Sequence, residues 1–245
     1  MFDFLFKRKK TEKAQLPFKT DIHNHVIPGV DDGSKDLETS VHLIKKMNEM
    51  GIDKIIATPH RTDETFENSI ETIEPKFILL RDALKENSVD VDLNYSFEYR
   101  MDEGFIKMKD AGLLKPLKDN YILVENSFIQ PLWNLDDLIF DLKLKGFFPI
   151  LAHPERYNYY HSNKSFYKHL KSLEVLFQVN VLSLSGCYGK DVQDTSMWLL
   201  KNDMVEFMAT DIHHNNHIIA LEQFLVSSQY KKLISLFENL RNDDI

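Results

Sequence analysis

Histidines and carboxylates recur along this chain at the ends of apolar runs. The first run closes in Asp21-Ile22-His23-Asn24-His25, the second in Ala57-Thr58-Pro59-His60-Arg61, and the third in Ser96-Phe97-Glu98-Tyr99. A fourth closes in Leu123-Val124-Glu125-Asn126, a fifth in Leu151-Ala152-His153-Pro154-Glu155-Arg156, and the last in Ala209-Thr210-Asp211-Ile212-His213. Strand side chains alternate faces, so His23 and His25 point the same way, and two imidazoles so spaced can hold one metal ion. One His-x-His is a weak signal, and Glu98 or Glu125 alone would read as a solvated loop carboxylate. The joint pattern carries the argument. His23, His25, His60, Glu98, Glu125, His153, Asp211 and His213 are eight candidate ligands, and Asp32, in Val30-Asp31-Asp32-Gly33, is a ninth. One tetrahedral ion takes about four. Imidazole and carboxylate donors suit Zn, Mn or Fe better than Ca, so the set predicts two or three transition metals.

Elements must bring these residues together. Strand-type runs cover Lys19–His25, Lys54–Pro59, Val91–Glu98, Tyr121–Glu125, Phe148–His153, Leu176–Leu182 and Val205–Asp211. Helical periodicity covers Leu37–Met50, Phe77–Lys85, Leu132–Lys145, Ser165–Leu173 and Asp191–Lys201, with one or two more helices in Ile218–Leu240. Gly51 and Gly146 stop two of these helices. Alternation of this kind predicts an α/β fold built from parallel βα units, and seven such units fit a single barrel better than two domains. All C-terminal strand ends of such a barrel open on one face, where distant residues converge. His42 and His169 fall in helical patterns and His161 in a polar loop, so they read as structural or surface residues; His214 and His217 are at most supporting.

Composition excludes several classes. The chain has 245 residues, 43% of them hydrophobic and 28% charged, with a formal net charge of -8. No run approaches the roughly 18 apolar residues of a membrane span. The acidic balance argues against general nucleic-acid binding. The one cysteine, Cys187, forms no internal disulfide, which fits a reducing, cytoplasmic compartment. Residues 1–19 differ from the rest, with a net charge of +4 that leaves -12 for the remainder. They read as a basic tail ahead of one folded domain over 20–245. The apolar stretch Phe2, Phe4, Leu5, Phe6 is too short, and precedes its charges, so it is no secretory signal. A weak membrane-surface contact through residues 2–13, peripheral to the inner face of the membrane, competes with a solvated terminus.

The segments DIHNHVIPGVDDGSKDLETS, ATPHR, the Glu98 strand, YILVEN, ILAHPERY and MATDIHH span residues 21 to 214. In order, spacing and residue type they resemble the PHP (polymerase and histidinol phosphatase) superfamily. Within it they are most similar to the bacterial manganese-dependent protein-tyrosine phosphatases of capsule and exopolysaccharide operons. The resemblance implies a distorted (β/α)7 TIM-like barrel with three clustered metals. His23, His25, Glu98 and Asp211 would hold the first, with Glu98 bridging to a second bound also by Glu125 and His153. Asp32, His60 and His213 would hold the third. Arg61 and Arg156, beside His60 and His153, look like the family's phosphate-handling arginines. The stretch Leu182–Asp194 and the tail after His213 depart from the pattern of Gram-positive members, and Thr62–Glu74 is a further variable loop; these segments bear on substrate choice.

The expected activity is hydrolysis of phosphotyrosine on protein by a metal-activated hydroxide, with Mn the favoured metal and Fe or Zn as alternatives. The expected substrate is a membrane-associated bacterial tyrosine kinase. A small-molecule phosphomonoesterase of the histidinol-phosphatase type is the alternative. A cysteine-dependent phosphatase is disfavoured, because the position six after Cys187 is Gln193 where that chemistry needs arginine. A metal-dependent amidohydrolase usually places a lysine ligand where Glu125 stands. A non-catalytic scaffold would be expected to have lost ligands.

Overall fold

The structure is a computed structural model and describes residues 15–245; the proposed membrane contact through residues 2–13 lies outside them. The chain begins with β1 (Thr20–Asp21), α1 (Leu37–Glu49), β2 (Lys54–Ala57), β3 (His60–Arg61) and α2 (Ile70–Glu86). Next come β4 (Asp92–Tyr95), β5 (Glu98–Arg100), α3 (Glu103–Ala111), β6 (Tyr121–Glu125), α4 (Leu135–Leu144) and β7 (Phe148–Ala152). The last part holds α5 (Lys164–Ser172), β8 (Leu176–Asn180), α6 (Val181–Ser185), α7 (Lys190–Lys201), β9 (Phe207–Ala209), α8 (Asn215–Leu225) and α9 (Ser228–Lys231). All strand pairings are parallel, in two sheets ordered β1-β2-β4 and β3-β5-β6-β7-β8-β9. The fold is α/β, as expected from the alternation.

Several expected strands are shorter or broken. The second run stops at Ala57 and resumes at His60, with Pro59 between, which has no N–H for a ladder. The third breaks at Ser96-Phe97. Backbone bonds cross both breaks, from Thr58 N to Asn24 O at 2.9 Å, Ser96 N to Ala57 O at 2.9 Å and Glu98 N to Pro59 O at 3.1 Å. At the other edge an isolated parallel bridge joins Asn24 to Ile212. The sixth run ends at Asn180, because Val181 and Leu182 turn into α6.

Local chemistry accounts for the helices. Asp36 caps α1 by accepting from Thr39 N at 2.8 Å. A reciprocal cap between Ser69 and Thr72 starts α2 at Ile70, well ahead of the periodicity that begins at Phe77, and the helix runs through Pro75. The sequence reading missed α3, whose signals are Asp102 at its N-cap and left-handed Gly112 at its end.

Alternation along the strands divides the core in two. Ile122, Val124, Leu151, Phe177, Val179 and Met208 face the helices in the large cluster. Ile22, Ile56, Leu123, Ile150, Ala152, Phe207 and Ala209 form a smaller cluster on the opposite face, joined by Leu117 and Ile245. That second face carries the candidate ligands onward at the C-terminal strand ends. Ahead of residue 20, Leu16 and Phe18 are buried in the large cluster and Leu16 N bonds Met50 O at 2.9 Å.

Candidate metal centre

Strand parity aims part of the site. Tyr121, Leu123 and Glu125 share one face of β6, so an apolar interior leads directly to a buried carboxylate. Glu98 and Arg100 share one face of β5, while Tyr99 points to the helices. Two ligands sit where the backbone turns left-handed. His153 and Asp211 both have left-handed φ, 34° and 49°. Parity would send His153 outward with Leu151; at this turn its ring instead reaches Glu98, Nε2 to Oε1 at 2.9 Å. A non-glycine residue held at positive φ costs about 1 kcal/mol or more, and such strain concentrates at functional sites.

All nine predicted ligands converge. His25, Asp32, His60 and His213 form one group with donor atoms within 4.8 Å of one another. His23, Glu98 and His153 form a second, His23, His25 and Asp211 a third, and His60, Glu98 and Glu125 a fourth. Glu98 is the hub: its Oε2 lies 2.9 Å from His60 Nδ1, 3.2 Å from His23 Nε2 and 3.5 Å from His25 Nε2. Asp211 Oδ1 sits 3.4 Å from both His23 Nε2 and His25 Nε2. Most of the cluster is fully buried, whereas Asp32 is exposed at the rim.

The cluster is electrostatically unsatisfied by protein alone. Burial and the charge of Glu98 push Glu125 up to about 7. Burial alone would lower His23, but Glu98 and Asp211 overcome it and push it up to about 9. Burial holds His153 down at about 4 despite its bond to Glu98, so this ring is neutral at pH 7, as a ligand must be. His60 Nδ1 and Glu98 Oε2 approach closely but without hydrogen-bonding geometry, and both, with Glu125 Oε2 and His153 Nδ1, are buried without a hydrogen-bond partner. Buried carboxylates and imidazoles crowded this way fit divalent cations, which would relieve the repulsion and use the orphaned acceptors.

Other residues hold the ligands in place, and sequence reading missed them. Gln178 Oε1 is 2.7 Å from His23 Nδ1, and Asp31 Oδ2 is 2.7 Å from His25 Nδ1 while accepting from His60 N at 3.1 Å. Asn180 donates to Asp211 Oδ2 at 2.7 Å. Asp21 accepts from Thr210 N and Oγ1, tying β1 to the Asp211 turn. His217 supports the site through its Nδ1, which accepts from His213 N at 3.3 Å. His42, His161 and His169 instead bond Asn215, the Glu155 carbonyl and Asp136.

The two arginines separate. Arg156 follows the His153 turn on a short 3-10 segment, donates to Asp211 Oδ2 at 2.8 Å and lines the cavity above the cluster. Arg61 does not line that cavity. In the β3–β5 register His60 pairs with Glu98 and Arg61 with Tyr99, so alternation turns Arg61 to the opposite face, where its Nη1 donates to Thr62 O. Arg100 stands in the cavity instead, two residues beyond Glu98 on the same face and 2.9 Å from Glu125. Strand parity after Glu98 was the signal that could have found it. The cavity holds about 600 Å³ and is walled also by Thr62, Phe66, Asp102, Ser127 and Phe128.

Parallel α/β architecture with a buried histidine–carboxylate cluster at its C-terminal strand ends defines a protein able to hold metal ions there. The sequence model of the capsular polysaccharide synthesis family CpsB/CapC matches residues 19–220, and the chain belongs to that family. It is similar to the tyrosine-protein phosphatase YwqE of Bacillus subtilis, 30% identical over 195 residues that cover 79% of this chain and 77% of that protein. It is 27% identical over 225 residues to the putative tyrosine-protein phosphatase CapC of Staphylococcus aureus, covering 89% and 88% of the two. Crystal structures of YwqE and of CpsB from Streptococcus pneumoniae, described as unique metal-dependent tyrosine phosphatases, include a chain that superimposes with a TM-score of 0.76 at 28% identity, covering 91% of this chain and 95% of that one.

Proposed function

We propose that this protein is a metal-dependent protein-tyrosine phosphatase, and that His23, His25, Asp32, His60, Glu98, Glu125, His153, Asp211 and His213 hold two or three divalent ions. One observation carries the reading: nine donors from six strand ends meet around Glu98 beneath an open cavity. The relatives named as tyrosine phosphatases support it. We also read the two sheets as one distorted (β/α)7 barrel, supported by the backbone bonds across both strand breaks and the Asn24–Ile212 bridge.

Bound metals supply Lewis acidity, activating water near neutral pH and offsetting charge that develops on phosphoryl oxygens. The chain's own groups do the rest. Arg156 presents a fork of donors at the cavity wall, and Asp211 fixes its direction; Arg100, which also lines the cavity, is fixed by Glu125. Asp31 and Gln178 set the tautomers of His25 and His23 by engaging their Nδ1 atoms, which directs each Nε2 toward the cluster. A phenolate leaving group has a pKa of about 10, so departure needs little proton donation. Manganese is the metal we favour, because hard oxygen donors are mixed with imidazole. A membrane-associated tyrosine kinase is the substrate we favour, supported by the family's role in capsular polysaccharide synthesis. The enzyme would act in the cytoplasm, which the absence of any internal disulfide suits; no described helix is long and apolar enough to cross a membrane.

Metal analysis with phosphotyrosine-peptide hydrolysis tests the reading. We expect two to three transition metals per chain, activity lost on chelation and restored by Mn, and an inactive His25→Ala variant. Cys187→Ser should remain active. A His25→Ala enzyme with wild-type activity, or purified active protein free of transition metal, overturns the assignment.

A further inference from the structure

We infer that Phe66 and Phe128 form a two-sided aromatic clamp that selects an aryl leaving group at this site; the inference rests on the phosphatase reading above. Both rings line the cavity. Phe66 stacks on the His60 ring, with centroids 5.5 Å apart and planes 12° apart. Phe128 stacks on the His153 ring at 5.5 Å and 24°. His60 and His153 touch different oxygens of Glu98, each at 2.9 Å. The two phenyl rings therefore extend, from two flanks, the walls of the one carboxylate-centred cluster where a phosphoryl group would bind.

Each ring is held in advance of any ligand. Phe66 ends a tight turn in which Thr62 N bonds Phe66 O at 3.0 Å and Phe66 N bonds Thr62 Oγ1 at 2.9 Å. Asn68 anchors that turn to the carbonyls of His60 and Val30, both at 2.9 Å. Phe128 lies against the Tyr157 ring, and the Arg156 guanidinium sits 5.0 Å from its centroid. The preceding Ser127 carbonyl accepts from Tyr159 Oη at 2.7 Å. Even so, 43% of Phe128 remains exposed. Core packing does not account for large rings at the open end of a polar cavity. A flat ring leaving the phosphoryl group would pass between them, gaining offset or edge-to-face contacts that an alkyl chain cannot make.

The test uses Mn-loaded full-length protein. Dissociation constants for phenylphosphonate and methylphosphonate are measured by calorimetry on wild type, Phe66→Leu, Phe128→Leu and Phe128→Tyr, with metal content as a control. Wild type should bind phenylphosphonate about tenfold more tightly than methylphosphonate. Either leucine variant should shrink that ratio several-fold with unchanged metal content and unchanged affinity for methylphosphonate, while Phe128→Tyr preserves it. A wild-type ratio near one overturns the clamp without recourse to any variant, as does equal weakening of both phosphonates. Failure to hydrolyse phosphotyrosine peptide would instead remove the phosphatase reading, and the phosphonate ratio would still report on the rings.

Discussion

Arg61 comes directly after His60 and Arg156 three residues after His153, yet only Arg156 faces the cavity. The cause is backbone course: an unbroken β3 sends consecutive residues to opposite faces, whereas the left-handed turn at His153 and the 3-10 segment after it bring Arg156 back. Arg156→Ala should lower kcat/KM on a phosphotyrosine peptide about 100-fold, the scale of losing one preorganised charge donor. Arg61→Ala should stay within about threefold of wild type, since the half-buried Arg61 is turned from the cavity and bonds the neighbouring Thr62 carbonyl. Steady-state kinetics on the two variants decide the matter, and equal losses would reinstate Arg61. The pH dependence of metal loading has a definite sign. In the chelated protein His23 titrates at about 9, above its ordinary 6.5, so it carries a proton near neutrality that a metal must displace. Calorimetric titration with Mn in buffers of different ionisation enthalpy should show proton release and affinity that rises from pH 6.5 to 8.5. Affinity that is flat over this range, with no proton release, would refute a buried histidine ligand at His23.

The loop after β1 shows how a short element serves the site. Gly33 packs so closely on His25 that a Cβ there would come within 2.3 Å of the His25 carbonyl oxygen. Its N–H also donates to Asp31 Oδ1, so the Val30-Asp31-Asp32-Gly33 turn aims one carboxylate at His25 and the next at the rim. Gly33→Ala must displace the His25 backbone. We expect a destabilisation of about 2 kcal/mol and a loss of bound metal, read by thermal unfolding and elemental analysis. Wild-type metal content in this variant would show that the turn does not position His25. The same close approach was invisible in the sequence, where Asp31 and Asp32 look equivalent. Only the turn decides that Asp31 is the buried partner of two histidines and Asp32 the exposed candidate ligand.

Chain segments far apart in sequence are sewn together beneath the site. Asn242 donates to Thr20 O at 2.9 Å and Met208 O at 2.6 Å, and accepts from Met208 N at 3.0 Å, so one buried side chain joins β1 to β9. Asn242→Ala leaves these backbone groups unpaired and should cost about 1–3 kcal/mol per orphaned bond in chemical denaturation. Because the residue lies at the opposite end of the strands from the ligands, kcat of the folded, Mn-saturated variant should be unchanged. A large drop in kcat without loss of stability would mean that the strand junction is coupled to the site. Metal binding should itself stabilise the fold, since ligands from six strand ends cannot converge in the unfolded chain; chelation should lower the midpoint of thermal unfolding, and Mn should restore it.

Composition and order of residues sufficed to pick out nine candidate ligands that the structure brings together, because eight are strongly polar residues at the ends of apolar runs, a pattern set by local chain chemistry, and Asp32 lies in the loop after the first run. They sufficed also for the alternation of strands and helices, since periodicity and caps are local. What they could not reach was contact between distant groups. The second and third strands break where Pro59 and Ser96-Phe97 interrupt the ladders, and α3 answers to its caps rather than to periodicity. Arg100, Gln178 and Asp31 act through partners 6 to 155 residues away in sequence, and nothing local distinguishes them from ordinary polar residues. Adjacency to a ligand singles out Arg61 in the sequence, and the parity of one two-residue strand turns it away from the cavity. Residue type and spacing determine which groups can do the chemistry; backbone direction, decided by the packed sheets and two left-handed turns, determines which of them meet.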